Sequence, residues 1–361
     1  MNSTQNTRVA IIISTMNRPD FLIRTLNYYA KLKSPHPVYL GDSGNPENAE
    51  KITSTVDKLR DRLEIHYNWY PPGLEPTGKI LAIVKEKYAI LNGDDDYEIP
   101  STLTKGAEFL ENNPDYTAAG GNAVSFRLKT SGPYGESARL ADYPNHSLEA
   151  ETASQRLIDF LKICFPITFT SINRVEHLKK IWVIPIPVGN TWGELLQICH
   201  CAVSGKVKLI DGLGVVRQIH DKQWRQRSMV DWLIAEEFHD FYTIFQDHLS
   251  RRVMEIDNIN QEQANKAVKD AFWEYLQVYM AREKRGLGGE SGPAANLPTL
   301  KSLRTKIGVS LPILKTIYRE YIRPIISDKK QMHYEVLNPR SSYYKDFQHV
   351  MDSFTGKDLK S

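Results

Sequence analysis

The sequence predicts an α/β fold with a mostly parallel sheet, followed by a helical C-terminal region. The first observation is the β-branched run at 8–14, which is typical of a strand buried on both faces. The second is the alternation of apolar runs with amphipathic segments as far as Asp96, which indicates βαβ units. The third is the change of pattern beyond His220, where long amphipathic segments replace the alternation.

The elements follow in order along the chain. Strands are predicted at 8–14, 37–44, 63–70 and 88–96, with helices at 18–32, 48–61 and 77–87. Beyond them we expect a helix at 99–110, a strand at 116–126, a mobile loop at 128–147, helices at 154–165 and 191–205, and a strand pair at 206–220. Ligands of such sheets bind beyond the carboxyl ends of the strands, so residues at those ends are candidates for a site.

The chain divides by pattern into an α/β domain at 1–222 and a helical region at 223–361. A linker is predicted near 285–298, and a polar, partly loose tail from about residue 327. The stretch at 299–322 interleaves basic with apolar side chains. We expect this stretch to pack against the α/β domain, with part of its surface at the acceptor site or in a dimer contact. The alternative is the headgroup layer of an anionic membrane, which such a mixture also suits.

Composition limits the class of protein. The net charge of +3 is too small to indicate a nucleic-acid partner. The three cysteines, Cys164, Cys199 and Cys201, favour a reducing compartment over a disulfide framework. The N-terminus has no long apolar region, and no window approaches the ~20 apolar residues of a membrane span. We therefore expect a cytoplasmic protein, with membrane contact at most peripheral at the inner face.

Three adjacent carboxylates, Asp94, Asp95 and Asp96, follow the predicted strand at 88–96. Like charges in contact disfavour ionisation, so the run needs neutralising. A divalent cation such as Mn²⁺ or Mg²⁺ takes one or two carboxylates and completes its shell with phosphate oxygens. The alternative is a solvated turn ahead of the helix that begins near Pro100.

Three segments in this order resemble the inverting family-2 glycosyltransferases of GT-A fold. They are VAIIISTMNRPDFLIRTL (9–26), VYLGDSG (38–44) and ILNGDDDYEIPSTL (90–103). The resemblance covers residues 7 to about 126 and continues more loosely to His220. It implies a GT-A, Rossmann-like mixed sheet. It also implies transfer of a sugar from a nucleotide-diphosphate sugar, with a UDP-sugar as the first candidate donor. The acceptor would be a hydroxyl of a glycan or lipid-linked glycan, as in cell-surface polysaccharide or glycoconjugate biosynthesis.

The resemblance also implies roles for single residues. The residues expected to contact the nucleotide sugar are Thr15, Arg18, Asp42, Lys79, Asp94, Asp95, Gly120 and Gly121. The metal would bind Asp96 and His220. Glu194 would be the general base. Family members usually carry Glu-Asp at the catalytic segment, whereas this chain has Gly193-Glu194. Trp192, Trp224 and Arg225 are acceptor candidates, because flat aromatic faces suit sugar rings and arginine suits phosphate.

Several of these residues have simpler explanations. Asp42 could close an Asx-turn, Lys79 could be a solvated lysine, and Glu194 could complement a helix dipole. The two glycines could mark a strand bulge, and a lone His220 is often structural. The rival functions are a nucleotidyltransferase, for which the turn after the first strand lacks glycines, and a non-catalytic nucleotide-sugar-binding protein.

Overall fold

The computed structural model describes residues 7–182, 193–221, 229–284 and 331–356. Its strands are β1 (Val9–Thr15), β2 (Val38–Asp42), β3 (Ile65–Trp69), β4 (Tyr88–Asn92), β5 (Tyr97–Glu98), β6 (Tyr116–Leu128), β7 (Ser137–Tyr143), β8 (Ile172–Arg174) and β9 (Lys206–Gln218). Its helices are α1 (Pro19–Lys31), α2 (Pro46–Leu59), α3 (Thr77–Ile83), α4 (Pro100–Asn112), α5 (Ala153–Ile163), α6 (Ile167–Thr170), α7 (Val175–Trp182), α8 (Gly193–Ser204), α9 (Met229–Leu233), α10 (Phe238–Asp257), α11 (Gln261–Lys284), α12 (Met332–Glu335) and α13 (Tyr344–Phe354).

The strands form one mixed, nine-stranded sheet in the order β3-β2-β1-β4-β8-β6-β9-β5, with β7 beside β6. The four strands β3, β2, β1 and β4 are parallel. Strand β8 is antiparallel to β4 and to β6, whereas β6 and β9 run parallel. The predicted α/β class with a Rossmann-like mixed sheet and a helical C-terminal region is therefore confirmed.

Local sequence explains the first elements. The apolar residues of β1 are 0–1% exposed, as expected for a strand with helices on both faces. Helices α1, α2 and α4 each have proline in the first helical positions, where its missing N–H costs nothing. The Asn45 side chain caps α2 by accepting a hydrogen bond from the Asn48 amide at 3.0 Å.

The described C-terminal helices contribute side chains to the hydrophobic cores on both faces of the sheet. On one face, Phe245 of α10 and Phe272 of α11 lie in a buried cluster with residues of α5 and α8. On the other face, Phe347 and Phe354 of α13 lie in a second cluster, and the Phe354 ring stacks on Phe126 at 4.6 Å. The expected loose tail is thus wrong for 332–354, because its aromatic side chains cover the sheet. The division at residue 222 stays a prediction.

Two other segments differ from expectation. Within the predicted loop at 128–147, the seven residues Ser137–Tyr143 form strand β7, which pairs with β6. Its turn is held by hydrogen bonds from Gly135 N to Phe354 O (2.9 Å) and from Arg24 Nη1 to Pro133 O (2.6 Å). The predicted strand pair at 206–220 is the single strand β9. Its glycine-rich stretch forms no turn, because register shifts beside β6 and the positive φ of Gly212 keep it within the strand.

The linker near 285–298 and the basic stretch at 299–322 lie outside the described residues. Among the helices that are described, none combines the length and apolarity needed to cross a membrane.

Candidate active site

The carboxyl ends of several strands meet at one edge of the sheet. Thr15 ends β1, Asp42 ends β2, and the acidic turn at 94–96 follows β4. Helix α3 joins them, since the hydroxyls of Ser14 and Thr77 lie 2.7 Å apart. The end of β9 reaches the same place through residues 217–220. The expected convergence of distant segments at this edge is confirmed.

Arg18 lies between the first two carboxylates of the turn. The Asp94 carboxylate accepts hydrogen bonds from Thr15 Oγ1 (2.7 Å) and Arg18 Nε (3.1 Å). The Asp95 carboxylate accepts one from Arg18 Nη1 (3.0 Å), and His220 Nε2 lies 2.8 Å from the same oxygen. Both carboxylates are buried, so these contacts replace water around the charges. The structure thereby brings together four predicted site residues and His220.

The third carboxylate has a different cation. Asp96 accepts hydrogen bonds from Arg217 Nε (2.8 Å) and from the Gln218 amide (2.9 Å), one at each oxygen. Arg217 Nη1 also donates to the Tyr143 hydroxyl at 2.6 Å. The chain's own arginines therefore neutralise the acidic turn. Sequence reasoning missed Arg217, although a charged residue within the β-branched run of β9 was a usable signal.

A buried arginine on α1 holds the backbone of the turn. The Arg24 guanidinium donates to the carbonyl oxygen of Asp95 at 2.5 Å, and Thr25 Oγ1 donates to that of Asp94 at 3.0 Å. Arg24 is 1% exposed. It was also missed, because the helical periodicity of α1 does not show which side chains face the turn.

The surroundings separate the acidities of the first two carboxyls. Burial, followed by the charge of Asp95, raises the pKa of Asp94. Burial also acts to raise the pKa of Asp95, but the hydrogen bond from His220 and the charge of Arg18 outweigh it and lower that pKa. Asp95 is thus the carboxylate that stays ionised and best suited to a cation.

The donor set at Asp95 and His220 fits a divalent metal ion. A carboxylate oxygen and an imidazole nitrogen lie side by side there. Asp96 fits less well, because protein donors engage both its oxygens. His220 thus contacts Asp95 and not Asp96, and metal binding at either carboxylate stays a prediction.

The described part of the chain has no group of three or more acidic, histidine or cysteine side chains placed to hold a metal by themselves. An ion at Asp95 and His220 would need further donors from water or from a phosphate group, as is usual for Mg²⁺.

Glu194, the predicted general base, lies in the first turn of α8. It is half-buried, close enough to Arg217 and Tyr143 for their charges to interact with its own. Burial raises the pKa of Glu194, and the positive charge of Arg217 offsets part of that rise. No hydrogen bond from another described residue engages its carboxylate. Its helix position also suits the dipole, so both explanations of the residue hold.

Asp42 and Lys79 make the contacts that their simpler explanations describe, and their predicted roles at the nucleotide stay predictions. The Asp42 carboxylate accepts from the Gly44 amide at 2.8 Å, which closes an Asx-turn, and from the Tyr67 hydroxyl at 3.0 Å. Lys79 is exposed, with its Nζ 5.9 Å from the centre of the Tyr70 ring. Neither side chain contacts the acidic turn, although both lie on elements that reach this edge.

The two predicted sugar-binding glycines are explained by packing. A Cβ on Gly120 would lie 2.3 Å from the carbonyl oxygen of Thr170, and one on Gly121 would lie 2.7 Å from the Gly214 amide. Any side chain would therefore collide with neighbouring backbone. Close backbone approach within the sheet therefore accounts for both glycines, and their contact with a donor sugar stays a prediction.

The predicted acceptor residues Trp192, Trp224 and Arg225 lie outside the described residues.

Comparison with known proteins adds a distant likeness. No protein-family model and no curated protein sequence matches the chain. Among solved structures, Staphylococcus aureus TarS 1-349 is 16% identical with a TM-score of 0.48, covering 77% of this chain and 73% of that one. A longer structure of S. aureus TarS has the same identity and TM-score and covers 76% of this chain and 44% of that one. TarS 1-349 in complex with UDP-GlcNAc is 15% identical with a TM-score of 0.43, covering 77% and 92%.

Proposed function

We propose that this chain is an inverting glycosyltransferase, which moves a sugar from a nucleoside-diphosphate sugar to a hydroxyl group of a glycan acceptor. The observation that supports it most is the position of Glu194. Glu194 is a half-buried carboxylate in the first turn of α8, where burial raises its pKa and the charge of Arg217 offsets part of the rise. Arg217 pairs with Asp96 at the sheet edge where the acidic turn and Arg18 converge. A base and two cations at one strand edge are what sugar transfer from a diphosphate requires.

The donor would bind against the acidic turn. Arg18 and Arg217 are the cations there that retain access to solvent, with side chains 30% and 20% exposed. A guanidinium can pair with two oxygens of a phosphate at once, so both side chains suit a diphosphate. Mn²⁺ or Mg²⁺ at Asp95 and His220 would supply Lewis-acid stabilisation of the same leaving group.

Glu194 would take the proton from the acceptor hydroxyl. The acceptor oxygen forms a bond to the anomeric carbon on the face opposite the leaving group. The bond to the diphosphate breaks with its electron pair, and the nucleoside diphosphate departs. One carboxylate base suffices, since inversion needs no covalent sugar intermediate. The raised pKa of Glu194 brings it closer to neutral pH, which improves a general base.

Purified full-length protein tests the proposal in a panel of nucleotide sugars, UDP-sugars first, with and without Mn²⁺. Nucleoside diphosphate release that rises with glycan acceptor supports transfer. Glu194→Gln should keep donor affinity and lose transfer by ~10² to 10⁴, the usual size of a general-base contribution. Pyrophosphate release from a nucleoside triphosphate would instead indicate a nucleotidyltransferase. Donor binding without turnover in any arm would indicate a binding protein.

Manganese binding has its own readout. In the presence of UDP, Mn²⁺ titrations followed by electron paramagnetic resonance should show weaker binding for Asp95→Asn and little change for Lys51→Gln, an exposed control on α2. Equal binding by Asp95→Asn and the unaltered protein would remove the metal from this place. The lipid-linked acceptor, the cytoplasmic location and a homodimer stay predictions.

A further inference from the structure

A cavity open to solvent lies between α7, α8 and α10 and shares no residue with the candidate active site. Its volume is about 380 Å³. Each helix contributes one histidine to its wall: His177, His200 and His248. The Ser204 hydroxyl lies 3.1 Å from Nδ1 of His200 and adds another polar group to the wall. The cavity is therefore rich in hydrogen-bonding groups.

Permanent cations outnumber carboxylates around this cavity. Lys180, Arg251 and Arg252 line it, with Glu255 as the single lining carboxylate. Glu255 accepts a hydrogen bond from Arg252 Nη1 at 2.8 Å, whereas Arg252 Nε is buried without a hydrogen-bond partner in the described part of the chain. Arg251 has only a loose contact, at 4.0 Å, with Asp247. The cavity wall thus carries excess positive charge.

The titration of His200 agrees with this charge balance. Burial lowers its pKa to about 4, and the charge of Arg252, with those of His248 and His177 when they are protonated, acts in the same direction. A positive potential inside the cavity is the physical reason for the second contribution. A bound anion would offset that potential.

We propose that this cavity binds a phosphate-type oxyanion, either free phosphate or the phosphate group of a small molecule or lipid. Arginine forks and imidazole N–H groups donate to phosphate oxygens with matched geometry, and lysine adds a compact charge. The cavity is referred to below as the histidine–arginine pocket.

Helix dipoles alone do not explain the pocket. Lys180 lies in the last turn of α7, where a cation is favoured in any helix. That accounts for one cation. It does not account for Arg251 and Arg252 of α10 or for the meeting of histidines from three helices.

The first test is calorimetric titration of the full chain with inorganic phosphate at constant ionic strength, with chloride as the reference anion. Lys180→Gln and Arg251→Gln alter exposed side chains, so folding is retained. Each should weaken phosphate binding by about tenfold, the loss expected for one charge-assisted hydrogen bond. Lys51→Gln in α2 and Arg60→Gln at its C-cap, which remove exposed cations, should bind as the unaltered protein does.

Phosphate heats no larger than those of chloride would overturn the proposal, as would equal losses in the α2 controls. A second arm separates the sources of the phosphate group. Sedimentation with phosphatidylcholine vesicles that contain phosphatidic acid, suppressed by free phosphate and by Arg251→Gln, would assign a lipid headgroup. Phosphate binding without such sedimentation would assign a soluble ligand. Neither arm depends on glycosyl transfer, so the pocket and the proposed activity can fail separately.

Discussion

Replacing Arg217 by methionine should be among the most damaging single changes at the sheet edge. Methionine keeps most of the length of the apolar stem but removes the charge. Asp96, whose side chain is 2% exposed, would lose its partner at 2.8 Å, and the Tyr143 hydroxyl would lose its donor at 2.6 Å. A buried carboxylate left without its cation costs about 3–5 kcal/mol of the free energy of unfolding.

The matched control is Arg127→Met on the neighbouring strand β6. Arg127 pairs with Asp221 at 3.1 Å, but both side chains are well exposed, at 36% and 73%. Solvent screens such a pair, so its loss should cost at most about 1 kcal/mol. Both variants are compared with the unaltered protein by urea unfolding at neutral pH, using circular dichroism and tryptophan fluorescence together.

A third variant isolates the charge. Adding Asp96→Asn to Arg217→Met removes the unpaired carboxylate, so the double variant should be more stable than the sum of the single losses predicts. If Arg217→Met unfolds within about 1 kcal/mol of Arg127→Met, the ion pair does not hold the acidic turn and the reasoning fails.

The remaining predictions concern the base, the C-terminal helix and a packed glycine. Transfer activity should rise with pH as Glu194 loses its proton. Because burial raises the pKa of Glu194, the midpoint of this rise should lie above the pKa of an ordinary glutamate. A kcat/KM profile that is flat across that pH range would contradict the assignment of Glu194 as the base. Phe354→Ala should lower the free energy of unfolding by about 3–5 kcal/mol, since the residue is 0% exposed. Leu337 is 48% exposed, so Leu337→Ala should hardly change the free energy of unfolding in the same urea experiments. Gly120→Ala should give little soluble protein, because its Cβ would lie 2.3 Å from a carbonyl oxygen. Gly132 has open space around it, so Gly132→Ala should give a normal yield. Equal yields of the two variants would refute the explanation by packing.

Much of the fold was readable from sequence. Apolar runs at strand spacing and amphipathic runs at helix spacing are local signals, and their alternation predicted β1 to β4 and the helices between them. Because parallel strands share one carboxyl edge, Thr15, Arg18 and the acidic turn could also be expected to meet.

Which cation meets which carboxylate was decided only by the tertiary structure. Arg217 lies 121 residues from Asp96, and the sequence supports several other partners equally well. The same holds for His220, which faces Asp95 rather than Asp96, and for Phe354, which is buried on Phe126 although its surroundings in sequence are polar. Periodicity predicts which face of an element is buried. Contacts between side chains remote in sequence depend on the packing of the whole sheet, and the local sequence pattern does not determine that packing.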